Sequence, residues 1–472
     1  MREYNAPSFK SNIKEDLMEE NKSTMLRDLT HGSIVKNIFI YAWPLLIANS
    51  LQAIYNIVDM LVVGRVEGQV GLAAVSVGAD IMMVTLSLLM GFANAGQVLI
   101  AQAAGAGENH RIKKLIGTMY TTNLTMALII GILCWLASDW LLGIMNTPDV
   151  AYVDAKKYFL TCAVGGILFS AGYNVTCAIL RGMGNSKQPC IFIAIASILN
   201  IILDIWFVKY LGMGAFGAAL ATVIGQGLSF ITAIIYLYRN KENFGFDFKL
   251  SSFKVDKLTF GLLVKLGIPM SIQMAAIGIS KMLLAAWINA CGVVYTALAG
   301  IYNKVSMMIN ILSSSLTTAG STIIGQNIGA QKYDRVKKTL AYVLLFSSII
   351  SALFMAIILI FPTAIFEAFT DDAAVIATSS ILILPFVVSF VGVAGRSYAF
   401  SLINGSGNSR LNLLVAILDG IIARIAFAYY FGFVLNMSAQ GFWMGDAVAG
   451  NIPFFIGLVF FLTKKWQRKV EK

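Results

Sequence analysis

Apolar residues run through the chain in long blocks. They lie at roughly 34–63, 71–103, 116–143, 155–179, 187–208 and 214–238, then at 259–289, 294–328, 340–365, 374–402, 411–433 and 440–463. Each block can cross a bilayer, which takes roughly 20 apolar residues at about 1.5 Å of rise each. Short alternating segments of the barrel kind do not dominate, so the pattern predicts twelve transmembrane helices. A polar tail at 1–33, a charged linker at 239–257 and a basic tail at 464–472 flank and divide the two sets of six.

The two sets repeat one another. Ala-Gln-Ala-Ala-Gly-Ala at 101–106, followed by Lys113-Lys114, returns as Gly-Gln-Asn-Ile-Gly-Ala at 325–330 with Lys337-Lys338. Gly182-Met183-Gly184-Asn185-Ser186 returns as Gly405-Ser406-Gly407-Asn408-Ser409, and Pro44 pairs with Pro269. Matching elements six helices apart have the same orientation, so the repeat is parallel, about an axis along the membrane normal. The expected fold is an all-α membrane protein with two pseudo-symmetric six-helix lobes, an N-lobe over 34–238 and a C-lobe over 258–463, around a midplane cavity.

One helix breaks the greasy pattern. Asn49, Gln52, Asn56 and Asp59 recur at intervals of three, four and three. At about 100° per residue they occupy roughly 80° of arc, a polar stripe on the first helix. Amides also serve as interhelical glue, but a carboxylate at that depth points to function. Asn200 and Asp204 stand one turn apart in the fifth helix, and Thr222 and Gln226 in the sixth. Counted from the helix ends, Asp59, Asp204 and Thr222 lie roughly 8–15 Å below the outer surface, within one layer. Two carboxylates among amide and hydroxyl oxygens suit Na⁺, and desolvation with mutual repulsion also makes proton capture available. Asp80 extends this network or sits solvated at the outer mouth.

The second set carries a different charge. Lys281, Lys304, Arg396 and Arg424 lie inside apolar runs, with Asp419 and Asp446 as counter-charges. Ion pairs locking the lobe together are the favoured reading. Asp419 and Arg424, five apart, do not share an α-helical face, so their partners are expected on neighbouring helices. Arg396 can reach the cytoplasmic interface.

Composition agrees with the pattern. The 472 residues are 58% hydrophobic and 12% charged, against about 25% charged in soluble domains. The net charge of +11 does not indicate nucleic acid, because Lys and Arg concentrate in alternate short loops. By the positive-inside rule both termini are cytoplasmic. The five cysteines show no disulfide or zinc spacing, and His31 and His110 both fall in charged segments. No phosphate-binding loop, catalytic triad or metal box is found. The Gly-x-Gly-Asn-Ser segments read as tight turns, and Asp371-Asp372 lacks a second acidic motif. An enzyme and a bound cofactor are not expected.

Taken together, Pro44, Asn56-Ile57-Val58-Asp59, Val63-Gly64-Arg65, Ala101-Gln102, Gly105-Ala106, Arg181-Gly182-Met183-Gly184-Asn185 and the parallel repeat resemble the multidrug and toxin extrusion (MATE) family over residues 33–463. The resemblance implies cation-coupled antiport of organic, mainly cationic amphiphiles by two rocking lobes. Its DinF-like and archaeal branch implies a cation site at Asp59, Asn200, Asp204 and Thr222, with Pro44 where the first helix bends. Another branch has acidic residues on helices 7 and 10, where this chain offers Lys281 and Arg396.

The expected function is therefore export of small organic molecules in exchange for Na⁺ or H⁺, by a monomer in the lipid of a prokaryotic inner or plasma membrane. Asn49, Gln52, Asn56, Pro44, Gln226 and Asp80 are expected at the cavity or its gates. A lipid-linked sugar or lipid flippase of related architecture is the alternative, kept open by the basic groups of the second lobe.

Overall fold

The computed structural model describes residues 27–467, and among these there are helices and loops but no strands. The outer parts of both expected tails, 1–26 and 468–472, lie outside the described residues. The first helical run, Ile34–Gly105, is broken at Gly68, whose backbone (φ 67°, ψ −148°) is open to glycine and strained for other residues. It comprises α1 (34–67) and α2 (69–105). There follow α3 (Asn109–Leu136), α4 (Asp149–Gly182), α5 (Lys187–Tyr210) and α6 (Gly214–Arg239). The second half contains α7 (Lys257–Ala290), α8 (Val293–Gly329), α9 (Tyr333–Ile360), α10 (Ala373–Ser406), α11 (Ser409–Val434) and α12 (Ser438–Leu462).

Local sequence sets the helix ends. Ser33, Asp256, Asp372 and Asn408 each accept a first-turn backbone N–H, capping α1, α7, α10 and α11. Pro44 and Pro269 lie inside α1 and α7, where each removes one backbone donor. Large apolar side chains such as Leu133, Trp140, Ile198, Leu353 and Val459 remain exposed, as helices facing hydrocarbon require.

The linker is not a loose tether. It forms a short helix, Lys241–Phe244, and a 3₁₀ turn, Leu250–Phe253. Phe246, Phe248 and Phe253 stack edge to face, Tyr120 of α3 meets Phe253, and Thr121 donates to the Phe253 carbonyl at 2.6 Å. Asp256, at the linker's end, caps α7, and its donors from Thr259 hold its carboxyl below the usual carboxylate range.

The halves meet at the end of the bundle that carries residues 27–33 and 464–467. There α2 and α8 approach so closely that a Cβ on Gly105 would lie 1.9 Å from the Gln326 carbonyl oxygen. A Cβ on Gly329 would lie 2.1 Å from that of Gln102. Gln102 donates to the Gly405 carbonyl at 2.9 Å, and Gln326 to the Gly182 carbonyl at 3.2 Å. Nearby, Gln97 of α2 donates to Thr322 of α8 at 2.9 Å, and Tyr41 of α1 donates to the Arg181 carbonyl at 2.6 Å. The repeated motifs are thus the two sides of one seam.

A strap, residues 27–33, lies over that seam. The N–H of Leu29 donates to Gln326 at 2.9 Å, its carbonyl accepts from Asn327 at 3.2 Å, and its side chain is fully buried. Arg335 donates to the carbonyls of His31 and Gly32, and Lys332 to that of Thr30. On the other side, the Arg27 carbonyl packs against Gly184, whose φ of +88° suits glycine. The strap therefore touches both halves.

Candidate functional site

Asp59 of α1 and Asp204 of α5 are both buried, with 5% and 0% of their surface exposed. They lie within electrostatic reach of each other and of two buried phenols, Tyr55 and Tyr158. The Tyr158 hydroxyl faces Asp59 Oδ2 at 3.5 Å, the outer limit of a hydrogen bond. Among the described residues, Oδ1 of Asp59 and Oδ1 of Asp204 have no hydrogen-bond partner. A buried carboxylate oxygen without a donor is costly.

Asn200 joins Asp204 to Thr222. One amide orientation places its nitrogen 3.5 Å from Thr222 Oγ1. The other lets nitrogen donate to Asp204 Oδ2 at 3.2 Å and oxygen accept the Thr222 N–H at 3.3 Å. Only the second satisfies both ends of the amide. Beside these groups is a narrow crevice lined by Tyr55, Ser197, Asn200, Thr222, Gln226 and Ser229 among others. Two buried acids, an amide, a threonine and two phenols offer oxygen ligands for a small hard cation, or two places for a proton. No cluster of three or more His, Cys, Asp or Glu with metal-binding geometry occurs among the described residues.

The other polar positions separate. Asn49 turns to the second half and donates to Ser315 of α8 at 3.1 Å. Gln52 and Asn56 are exposed, and Pro44 is half-buried. Asp80 is exposed and makes no hydrogen bond to either acid among the described residues. Tyr55 and Tyr158 went unrecognised in the sequence. Tyr55 precedes Asp59 by four residues and so shares its stripe, whereas no spacing connects Tyr158 to either acid. Nor did the sequence announce the π-helical winding at Thr161–Gly166 and Ile205–Tyr210, just beyond Tyr158 and Asp204.

In the second half Arg424, 1% exposed, donates from Nη2 to Asp419 at 2.8 Å and from Nη1 to Asp446 of α12. Asp446 is a partner on a neighbouring helix, as expected, but Asp419, five residues before Arg424, pairs with it as well, which α-helical spacing did not predict. Residues Leu418–Ile422 are π-wound, so the chain advances more residues per turn and brings i and i+5 together. The expected lock exists, but Lys281 and Arg396 are outside it. Lys304 stands over the Phe369 ring, 5.4 Å from its centre.

Helices of this length and arrangement define a multi-pass membrane protein. Its fold is that of a solved structure described as the outward-facing conformation of a multidrug resistance MATE family transporter of the MOP superfamily. The TM-score is 0.84 at 22% identity, over 92% of this chain and 97% of that one. The MatE family model matches residues 44–206 and again residues 269–430, at the spacing of the internal repeat, and the chain belongs to the MatE family. Relatives include "Probable multidrug resistance protein YoeA" of Bacillus subtilis (strain 168), 26% identical over 92% of this chain and 95% of that protein. "Probable multidrug resistance protein YpnP" of the same organism is 28% identical over 66% of this chain and 68% of its own length.

Proposed function

We propose that the protein is a secondary antiporter, exporting varied organic amphiphiles in exchange for Na⁺ or H⁺ taken up at Asp59 and Asp204. The observation that carries the reading is the buried pair of acids, each with an oxygen lacking a donor. Left empty, the site holds two repelling charges or protons in their place. Filling it with a cation removes the repulsion and draws α1 and α5 toward a common centre. A ligand shifts a conformational equilibrium only by its differential affinity for the two states. Asp59 sits on α1, which also carries Tyr41 and Asn49, whose side chains reach Thr322 and Ser315 of the second half, so the acid has a direct route to the seam.

In this reading the strap and seam are cytoplasmic, as the positive-inside distribution supports, and the site is reached from outside. The names of the relatives support export of multiple drugs over flipping of a lipid-linked sugar. Dye efflux from proteoliposomes, under a sodium gradient and separately a proton gradient, tests the reading. Export should follow at least one gradient and be lost in Asp59→Asn. Undiminished gradient-driven export by that variant would overturn it.

A further inference from the structure

The second half places charged groups where the first has neutral polar ones. By the repeat, Asn200 corresponds to Arg424, Thr222 to Asp446 and Asn56 to Lys281, while Asp59 corresponds to the apolar Leu284. Three basic groups, Lys281, Arg396 and Arg424, lie within electrostatic reach of one another inside the second half. The two acids there, Asp419 and Asp446, are both engaged by Arg424.

Lys281 and Arg396 form no ion pair among the described residues, although Asp419 also lies within electrostatic reach of Lys281. The Lys281 side chain is exposed, on the helix that packs against α11 through Ala276 and Gly420. Arg396 is half-buried, its guanidinium against Gly450 of α12, and its buried Nε has no hydrogen-bond partner among the described residues. Structural ion pairing accounts for Arg424 and leaves these two unexplained. Basic groups at membrane depth are costly unless they face partners or a wet cavity. A guanidinium without an acid partner, within electrostatic reach of an ammonium, suits an oxygen acid: the guanidinium binds it directionally and the ammonium adds a point charge.

We propose that Lys281 and Arg396 form a binding site for an anionic oxygen-acid group, a carboxylate, sulfonate or phosphate, on an amphiphilic substrate. The inference deepens the export reading by giving the substrate an acidic group, in contrast to the purely cationic amphiphiles expected from the sequence. The same chemistry would suit an anionic lipid headgroup.

The test is equilibrium binding in neutral detergent without any gradient, so its failure leaves cation coupling untouched. Rhodamine B, whose carboxylate is ionised at neutral pH, is compared with its ethyl ester, which keeps the same ring cation. Wild-type protein should bind the acid about tenfold more tightly, a difference of about 1.4 kcal/mol. Lys281→Met and Arg396→Gln should bring the two dyes within twofold of each other. Unchanged ester affinity shows that a variant remains folded, and Arg396→Lys serves where Arg396→Gln does not. Added phosphatidylglycerol that leaves acid binding intact assigns the site to substrate. Phosphatidylglycerol that displaces the acid in wild type, and fails to compete in Lys281→Met, assigns the same site to a lipid headgroup. Equal affinity for acid and ester in wild type, with no effect of phosphatidylglycerol, overturns the proposal, as does an acid preference that survives both substitutions.

Discussion

Gln102 donates to the carbonyl of Gly405 across the seam at 2.9 Å, and Gln326 makes the matching contact with Gly182 at 3.2 Å. Each half uses a glutamine late in one helix to hold the end of another helix in the opposite half. Separating the halves at this end breaks both bonds at once. The net contribution of each is about 1 kcal/mol, small enough for a transport cycle to reverse. Gln102→Ala with Gln326→Ala should shift the protein toward opening at this end. Spin labels at His110 and Arg410, exposed on opposite halves, should report longer distances in the double variant than in wild type.

Close packing at the same seam predicts a sharper effect. Gly105→Val would push carbon atoms into the Gln326 carbonyl, and Gly329→Val into that of Gln102. Backbone meets backbone here, and neither can turn aside. Both variants should fail to close this end, seen as sustained reactivity of a cysteine placed at Ser321 on α8. Protection of that cysteine equal to wild type would contradict the packing argument.

The strap adds to closure because Leu29 binds Gln326 and Asn327 while Arg27 rests on Gly184. Leu29→Asp would place a charge in a fully buried position and should release the strap. The same pair of spin labels should then show a larger open population, with α-helix content unchanged by circular dichroism.

Arg424 predicts a stability effect rather than a transport one. Removing it leaves Asp419 and Asp446 facing each other with no cation between them, and breaking a buried ion pair from one side costs about 3–5 kcal/mol. Arg424→Met should lower the melting temperature in detergent. Adding Asp419→Asn should restore part of the loss, because the amide carries no unpaired charge. A melting temperature unchanged by Arg424→Met would contradict the assignment.

The helices were legible because hydrocarbon demands long apolar runs, and the gap between 63 and 71 brackets the break at Gly68. Asp59 and the Asn200–Asp204 turn were legible because helical spacing sets them among polar neighbours, whereas Asn49 turns to the second half and Gln52 and Asn56 are exposed, which spacing alone does not show. Tyr158 was not, since its nearness to Asp59 depends on how α4 packs against α1. The pairing of Asp419 with Arg424 was missed because α-helical spacing does not apply in a π-wound segment. The repeated Gln and Gly motifs were visible as copies. That each copy grips the other half, rather than its own, is a property of the pseudo-two-fold axis and of no single stretch of sequence.

Cation capture by the two acids is the claim on which the transport account depends, and binding tests it more directly than transport. Purified protein can be assayed for ²²Na⁺ binding and, in weak buffer, for proton release on adding substrate. Wild type should show at least one of these responses, and Asp59→Asn and Asp204→Asn should each abolish it while the protein remains folded. A full cation response in the double variant would show that the ion binds elsewhere and would contradict the account.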